Sequence, residues 1–143
     1  MSYRPKHFKL AELVDPYFLT MPEDEVWAMI DENALRAIDA LRDKFGPLLI
    51  NGRGYTESGL RRSDTKTGAK FSQHKVGKAF DIKPCDHTLT VRMMYNWIID
   101  NQPEAYAIGI RRVEDHRFTP SWTHIDSKDT GKEWVNKIQI VKP

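Results

Sequence analysis

The stretch Phe71-Ser72-Gln73-His74-Lys75-Val76-Gly77-Lys78-Ala79-Phe80-Asp81-Ile82 sets a serine, an imidazole, a glycine and a carboxylate at spacings that suit a metal site. It begins polar and ends as Ala79-Phe80-Asp81-Ile82, which alternates in the manner of a strand. Ala79 and Asp81 then share one face while Phe80 and Ile82 enter the core. Gly77 permits a turn that a residue with a β-carbon would resist, and that turn folds the His74 imidazole back towards Asp81. An open zinc site takes a third protein ligand. A second β-type run supplies it: in Ser121-Trp122-Thr123-His124-Ile125-Asp126 the residues Trp122, His124 and Asp126 alternate with Thr123 and Ile125. With the two runs as neighbours in one sheet, His74, Asp81 and His124 make a two-imidazole, one-carboxylate set. A fourth tetrahedral position is left for water and substrate.

The flanking segments read as a single α+β domain over residues 1–143, with a polar, loose start over residues 1–7. Phe8 to Val14 has helical spacing and ends at Asp15-Pro16. Pro22 and the acidic residues after it open a helix that continues to about Phe45. Its stripe is Val26, Ile30, Ala34, Ile38, Leu41 and Phe45, and Gly46-Pro47 stops it. Leu48 to Ile50 reads as a strand, followed by the turn Asn51-Gly52-Arg53-Gly54. This turn lacks the Gly-Lys-Ser/Thr ending of a phosphate loop, and its glycine spacing is not the dinucleotide fingerprint. Residues 55–70 read as a long surface loop carrying Arg61 to the rim of the metal site. Residues 88–101 form a second helix capped by Thr88 or Thr90, with a core stripe of Leu89, Met93, Met94, Trp97 and Ile98. Residues 105–111 read as a strand, 112–120 as a charged loop, and the tail from Glu133 to Val141 as an edge strand.

At 143 residues the chain can bury one core and is short for two. Its 22 basic and 20 acidic residues nearly cancel, and no basic block suggests a nucleic-acid groove. Arg53, Arg61, Arg62, Lys66, Lys70, Lys75 and Lys78 form a local cationic cluster, either a plain solvated face or an attractor for an acidic substrate. Cys85 is the sole cysteine, which excludes an internal disulfide and a cysteine-based structural zinc site. No secretory signal and no membrane span are legible, and no feature argues for a partner subunit, so a monomer is expected.

The pattern Ser-x-His-x-x-Gly-x-Ala-x-Asp from Ser72 to Asp81, followed by Trp-x-His-x-Asp from Trp122 to Asp126, resembles the zinc D-alanyl-D-alanine carboxypeptidase family. Ser58-Gly59-Leu60-Arg61 is similar to that family's Ser-Gly-Tyr-Arg segment, whose arginine holds a substrate carboxylate. The resemblance implies a hedgehog/DD-peptidase-like fold, a small antiparallel sheet flanked by helices. It also implies one Zn2+ per chain on His74, Asp81 and His124, and a peptidoglycan peptide as substrate. Arg61 and Ser72 would then be substrate-side residues, with Ser72 shaping the ligand loop because no acid partner completes a triad around it. Metal-assisted hydrolysis needs a group to take a proton. The family's carboxylate three residues before the last histidine is replaced by Ser121. Glu114, His116 and Asp126 are the catalytic candidates: Glu114 or His116 as proton carrier, Asp126 as a base or as the group that orients a ligand imidazole. Without a leader, such an enzyme would stay cytoplasmic until phage lysis released it, or would travel on a virion. The competing expectation is a non-catalytic phage structural or binding protein that keeps the fold, which the serine at position 121 favours.

Overall fold

The computed structural model describes residues 3–52 and 54–143, so Met1, Ser2 and Arg53 lie outside the described residues. Two helices, α1 (Glu23–Ala28) and α2 (Glu32–Phe45), precede strands β1 (Leu48–Leu49) and β2 (Ala79–Pro84). Helices α3 (Val91–Asp100) and α4 (Gln102–Ala107) follow, and then β3 (Arg112–Glu114), β4 (Thr123–Asp126) and β5 (Gln139–Val141). The strands form one sheet in the order β1-β2-β4-β3-β5. Four of them pair antiparallel, but β5 runs parallel to β3, so the sheet is mixed where an antiparallel one was expected. Residues 115–138 form a connection long enough for the crossover that parallel pairing demands.

Alternation divides the sheet into two faces. Phe80 and Ile82 of β2, Ile125 of β4 and Val113 of β3 are all buried on one side, joined to Leu35, Ile38 and Leu41 of α2 and Met94 and Ile98 of α3 in a single core. Removing side chains of this size from water stabilises by about 1.5–3 kcal/mol each. The opposite face carries Asp81, His124, Asp126, Arg112 and Glu114, and residues 57–77 close over it.

Four local expectations are corrected. The helix expected over residues 22–45 breaks at Met29–Asp31. Asp31 is extended there, its amide donates to Gly77 O (2.8 Å) and its carboxylate accepts from Ser127 Oγ (2.7 Å), so the backbone bond that would continue the helix is spent on the ligand loop. The strand expected over 105–111 is absent: 105–107 are the end of helix α4, and 108–111 are a turn and an irregular link to β3. Pro103 occupies the first turn of α4, where a missing donor is harmless, and Ala105 is its buried residue. The charged loop expected from Arg112 begins as β3, because Arg112 and Val113 pair with Asp126 and Ile125. The start of the chain is anchored where it was expected loose. Tyr3 Oη donates to Asp39 Oδ2 (2.7 Å), the amides of Lys6 and His7 also bond that carboxylate, and Pro5 is buried.

Two other segments depart in detail. The run from Phe8 to Val14 contains only a short 3-10 turn, Leu10–Glu12, with Leu13 and Val14 fully buried after it. The 55–70 segment has no regular element but dives inward at Ser58 to Arg61. Thr90, not Thr88, caps α3, its hydroxyl accepting from the Met93 amide.

Candidate metal centre

The ligand loop is built as its residues dictate. Ser72 caps a 3-10 turn, Gln73–Val76, its hydroxyl accepting from the His74 amide at 3.2 Å. Gly77 ends that turn at φ +72°, and a β-carbon there would lie 2.0 Å from Met29 O, so only glycine lets the loop dock against the α1–α2 break. His74 is thereby carried back to β2, with Nε2 3.3 Å from Asp81 Oδ1. The register Asp81↔His124 sets the second imidazole beside the same carboxylate, with Nδ1 2.9 Å from Oδ1. Donor atoms of His74, Asp81 and His124 lie within 4.8 Å of one another, and the group could hold a metal ion. All three residues are buried.

Each imidazole is held by its other nitrogen. His74 Nδ1 donates to Gly59 O (3.0 Å), and His124 Nε2 donates to Asp126 Oδ2 (3.1 Å). Without a metal, His124 also donates from Nδ1 to Asp81. A bound metal would take the place of that proton, and the bonds to Gly59 and Asp126 would then present His74 Nε2 and His124 Nδ1 as lone-pair atoms, the arrangement by which outer partners orient metal-binding imidazoles. Asp126 in turn accepts two bonds from Arg112, Nε to Oδ1 and Nη2 to Oδ2, both 2.9 Å. A planar fork of this kind fixes the carboxylate in orientation as well as charge.

The segment Ser58 to Arg61 is a backbone wedge as much as a side-chain site. Ser58 O accepts from the Asp81 amide (2.7 Å), Leu60 exchanges bonds with the 13–15 segment, and the Arg61 amide donates to His74 O (3.0 Å). A β-carbon on Gly59 would stand 2.0 Å from Leu13 O, which explains the glycine. The buried Arg61 guanidinium is held by Glu57 O (2.6 Å) and Thr67 O (3.5 Å), and its Nη2 lies 3.5 Å from Asp81 Oδ2. Further N–H donors remain on that group for a ligand.

Burial would raise the Asp81 carboxyl, but the bonds from His124 and His74 overcome it and hold Asp81 well below the usual carboxylate range. Burial likewise works against charge on His124, yet its bonds to Asp126 and Asp81 prevail and push it up to about 9. His74 is lowered by burial, against the pull of Asp81. Burial opposes charge on Asp126 too, but His124 and Arg112 keep it low. Glu114 is pushed up by burial, opposed by the nearby His124.

One cleft gathers most of the sequence-derived residues: Arg61, Ser72, His74, Asp81, Glu114 and His124 all line it. Asp126 sits one strand repeat behind His124, its side chain fully buried. The β3–β4 register, extended by one residue, sets Glu114 beside His124, with Oε1 3.7 Å from Nδ1. His116 is not among the residues that line the cleft. Its ring packs on Tyr95 of α3 at a centroid distance of 5.5 Å. Arg112 and the carbonyl of Gly59 went unread in the sequence. Their only advance signals were the alternation Arg112-Val113-Glu114 and the glycine of the Ser-Gly-Leu-Arg segment. No helix among the described residues is long and apolar enough to cross a membrane. Comparisons with protein-family models, curated proteins and solved structures find no match to this chain.

Proposed function

We propose that this protein is a zinc-dependent hydrolase of a peptide bond in peptidoglycan, at a terminal D-alanine or within the stem or cross-bridge. The observation that carries the reading is the convergence of His74 Nε2, Asp81 Oδ1 and His124 Nδ1, with each imidazole fixed from behind. The separations of 3.3 Å and 2.9 Å from the shared carboxylate oxygen are close to the edge of about 3.3 Å of a tetrahedron with zinc-ligand bonds of 2.0–2.1 Å. The motifs Ser72 to Asp81 and Trp122 to Asp126, which resemble the D-alanyl-D-alanine carboxypeptidase pattern, supply the substrate class.

Bound there, zinc supplies Lewis acidity towards a carbonyl oxygen and towards water. The chain supplies the rest. Arg61, pinned by two loop carbonyls, presents its free donors to a substrate carboxylate. Glu114 Oε1 takes a proton from the attacking water and returns it to the leaving amine. Burial has already moved its carboxyl upward, towards the range in which such an exchange is efficient. Asp126 and Arg112 hold His124 in one tautomer throughout. On this reading Glu114, from the neighbouring strand, does the work of the carboxylate that Ser121 replaces.

The serine at position 121 also favours the second reading, a non-catalytic phage structural or binding protein that keeps the metal. Metal content and amino-group release from purified cell wall separate the two, measured on the wild type, His74→Ala and Glu114→Gln. Under the hydrolase reading the wild type holds one zinc per chain and releases amines. His74→Ala loses both, and Glu114→Gln keeps zinc while losing release. Zinc without release in the wild type supports the second reading, and absence of zinc overturns the ligand set.

A further inference from the structure

Asp81 is the end of one ligand row and the start of another feature. On β2 the next residue on the same face is Lys83, about 7 Å further along at two residues of strand rise. Lys83 pairs with Leu49 of β1, and the β2–β4 register, extended by one residue, sets Trp122 opposite it. This second row, Leu49, Lys83 and Trp122, floors a cavity of about 370 Å³ that opens beside Asp81 and is walled by Ile50 and Tyr55. Its volume falls within the range of small-ligand sites. Asp81, Tyr55 and Trp122 line both this cavity and the metal cleft, so the two adjoin.

The walls are apolar and aromatic, and two of them are conspicuously open: Leu49 is 42% and Tyr55 48% exposed. Lys83 is exposed and has no ion-pair partner among the described residues, whereas Asp81 is fully engaged by His74, His124 and Arg61. An unpaired ammonium lining an apolar slot favours a ligand group with a methylene stem and an anionic tip. Arg61 lines the metal cleft but not this cavity. A peptide with its terminal carboxylate at Arg61 and its scissile carbonyl at the His74, Asp81 and His124 group would bring the residue on the acyl side to the cavity that Asp81 shares.

We propose that this cavity is a specificity subsite for an aliphatic side chain ending in a carboxylate, carried by the residue on the acyl side of the scissile bond. Leu49, Ile50, Tyr55 and Trp122 cover its methylenes, and Lys83 meets its carboxylate. The proposal rests on reading the metal cleft as a peptide-cleaving site. Gly52 also lines the slot, and a β-carbon there would come within 3.1 Å of the Leu49 side chain, so a branched residue at that position would crowd the Leu49 wall.

Calorimetric titration of the zinc-loaded protein with three probes tests it: N-acetyl-aminoadipyl-alanine, its neutral counterpart N-acetyl-norleucyl-alanine, and N-acetyl-alanyl-alanine, each in both stereochemical series. The wild type should bind the aminoadipyl probe roughly five- to tenfold tighter than the norleucyl probe, the scale of a partly exposed ion pair. That preference should shrink as salt rises. Lys83→Met should bring the two probes to the same affinity, and Gly52→Val, its fold verified by circular dichroism, should weaken the norleucyl probe relative to the alanyl one. Equal affinities in the wild type, a preference that survives Lys83→Met, an unaltered ratio in Gly52→Val, or no binding of any probe would each overturn the subsite. Binding as expected with no amine released leaves the subsite standing and removes the peptidase reading instead.

Discussion

The two faces of the sheet both bury side chains at their centre, yet they are held by different physics. Beneath Phe80, Ile82, Val113 and Ile125 the gain comes from apolar area against α2 and α3, is non-directional, and depends on volume. Above, the buried groups are Asp81, His74, His124, Asp126 and Arg61, whose desolvation costs more than area returns unless every charge finds a partner. The partners are present: Asp81 lies between two imidazoles and near Arg61, and Asp126 sits between His124 and the Arg112 fork. A core of the first kind tolerates exchange of one hydrocarbon for another of equal volume. The second kind tolerates almost no exchange, because removing one member strands the others.

That contrast breaks most visibly on the apolar side. Phe80→Ala should cost about 3–5 kcal/mol of unfolding free energy in denaturant titration, while the surviving folded protein still takes up zinc stoichiometrically. Loss of zinc from the folded variant would mean that the two faces are coupled more tightly than this division allows.

On the polar side the expected effect is on metal first. Asp126→Asn and Arg112→Gln should each weaken zinc affinity by about 10–100-fold in competition with a chromophoric chelator, with the fold retained by circular dichroism. Arg112→Lys should restore only part of the loss, since an ammonium cannot reproduce the two-point grip on Asp126. Unchanged affinity would show that the Gly59 carbonyl and the β4 backbone orient the imidazoles without help.

The polar face also carries a pH response that the apolar face lacks. Without metal, His124 holds its proton between Asp81 and Asp126, with its value raised from 6.5 to about 9. Such a group stabilises the fold fully below its unfolded value and loses that contribution as pH climbs through the folded one. Metal-free protein should therefore fall in Tm between about pH 7 and pH 10, whereas zinc, which competes with that proton, should bind more tightly over the same window. A flat Tm for the metal-free protein would place the proton elsewhere in the cluster. Smallest is Ser72→Ala, which removes the cap on the ligand turn and should cost about 1 kcal/mol of stability.

Where residues close in sequence settle the geometry, the sequence was readable. The turn at Gly77, the strand Ala79 to Ile82 with its two faces, and the alternation of Trp122, His124 and Asp126 follow from steric limits on one or two residues and from the period of a strand. The grouping of His74, Asp81 and His124, which could hold a metal ion, could be read from them because only the pairing of two short runs had to be assumed. Segments whose fate depends on distant partners were not readable. Residues 22–45 keep an unbroken helical stripe, and the break at Asp31 exists because Gly77 O and Ser127 Oγ take up its amide and its carboxylate. Residues 105–111 alternate like a strand, but 105–107 end helix α4, with Pro103 in its first turn and Ala105 buried, and 108–111 turn out of it towards β3.

By itself, then, the order of residues determined which side chains can reach one another across a turn or along a strand: Ser72 with His74, His74 with Asp81, His124 with Asp126. Only the tertiary structure decided that Arg112 grips Asp126, that Gly59 O fixes His74, and that Glu114 rather than His116 lines the metal cleft. Those contacts join elements far apart in the chain, so their geometry comes from sheet register and close backbone approach, which no local propensity encodes.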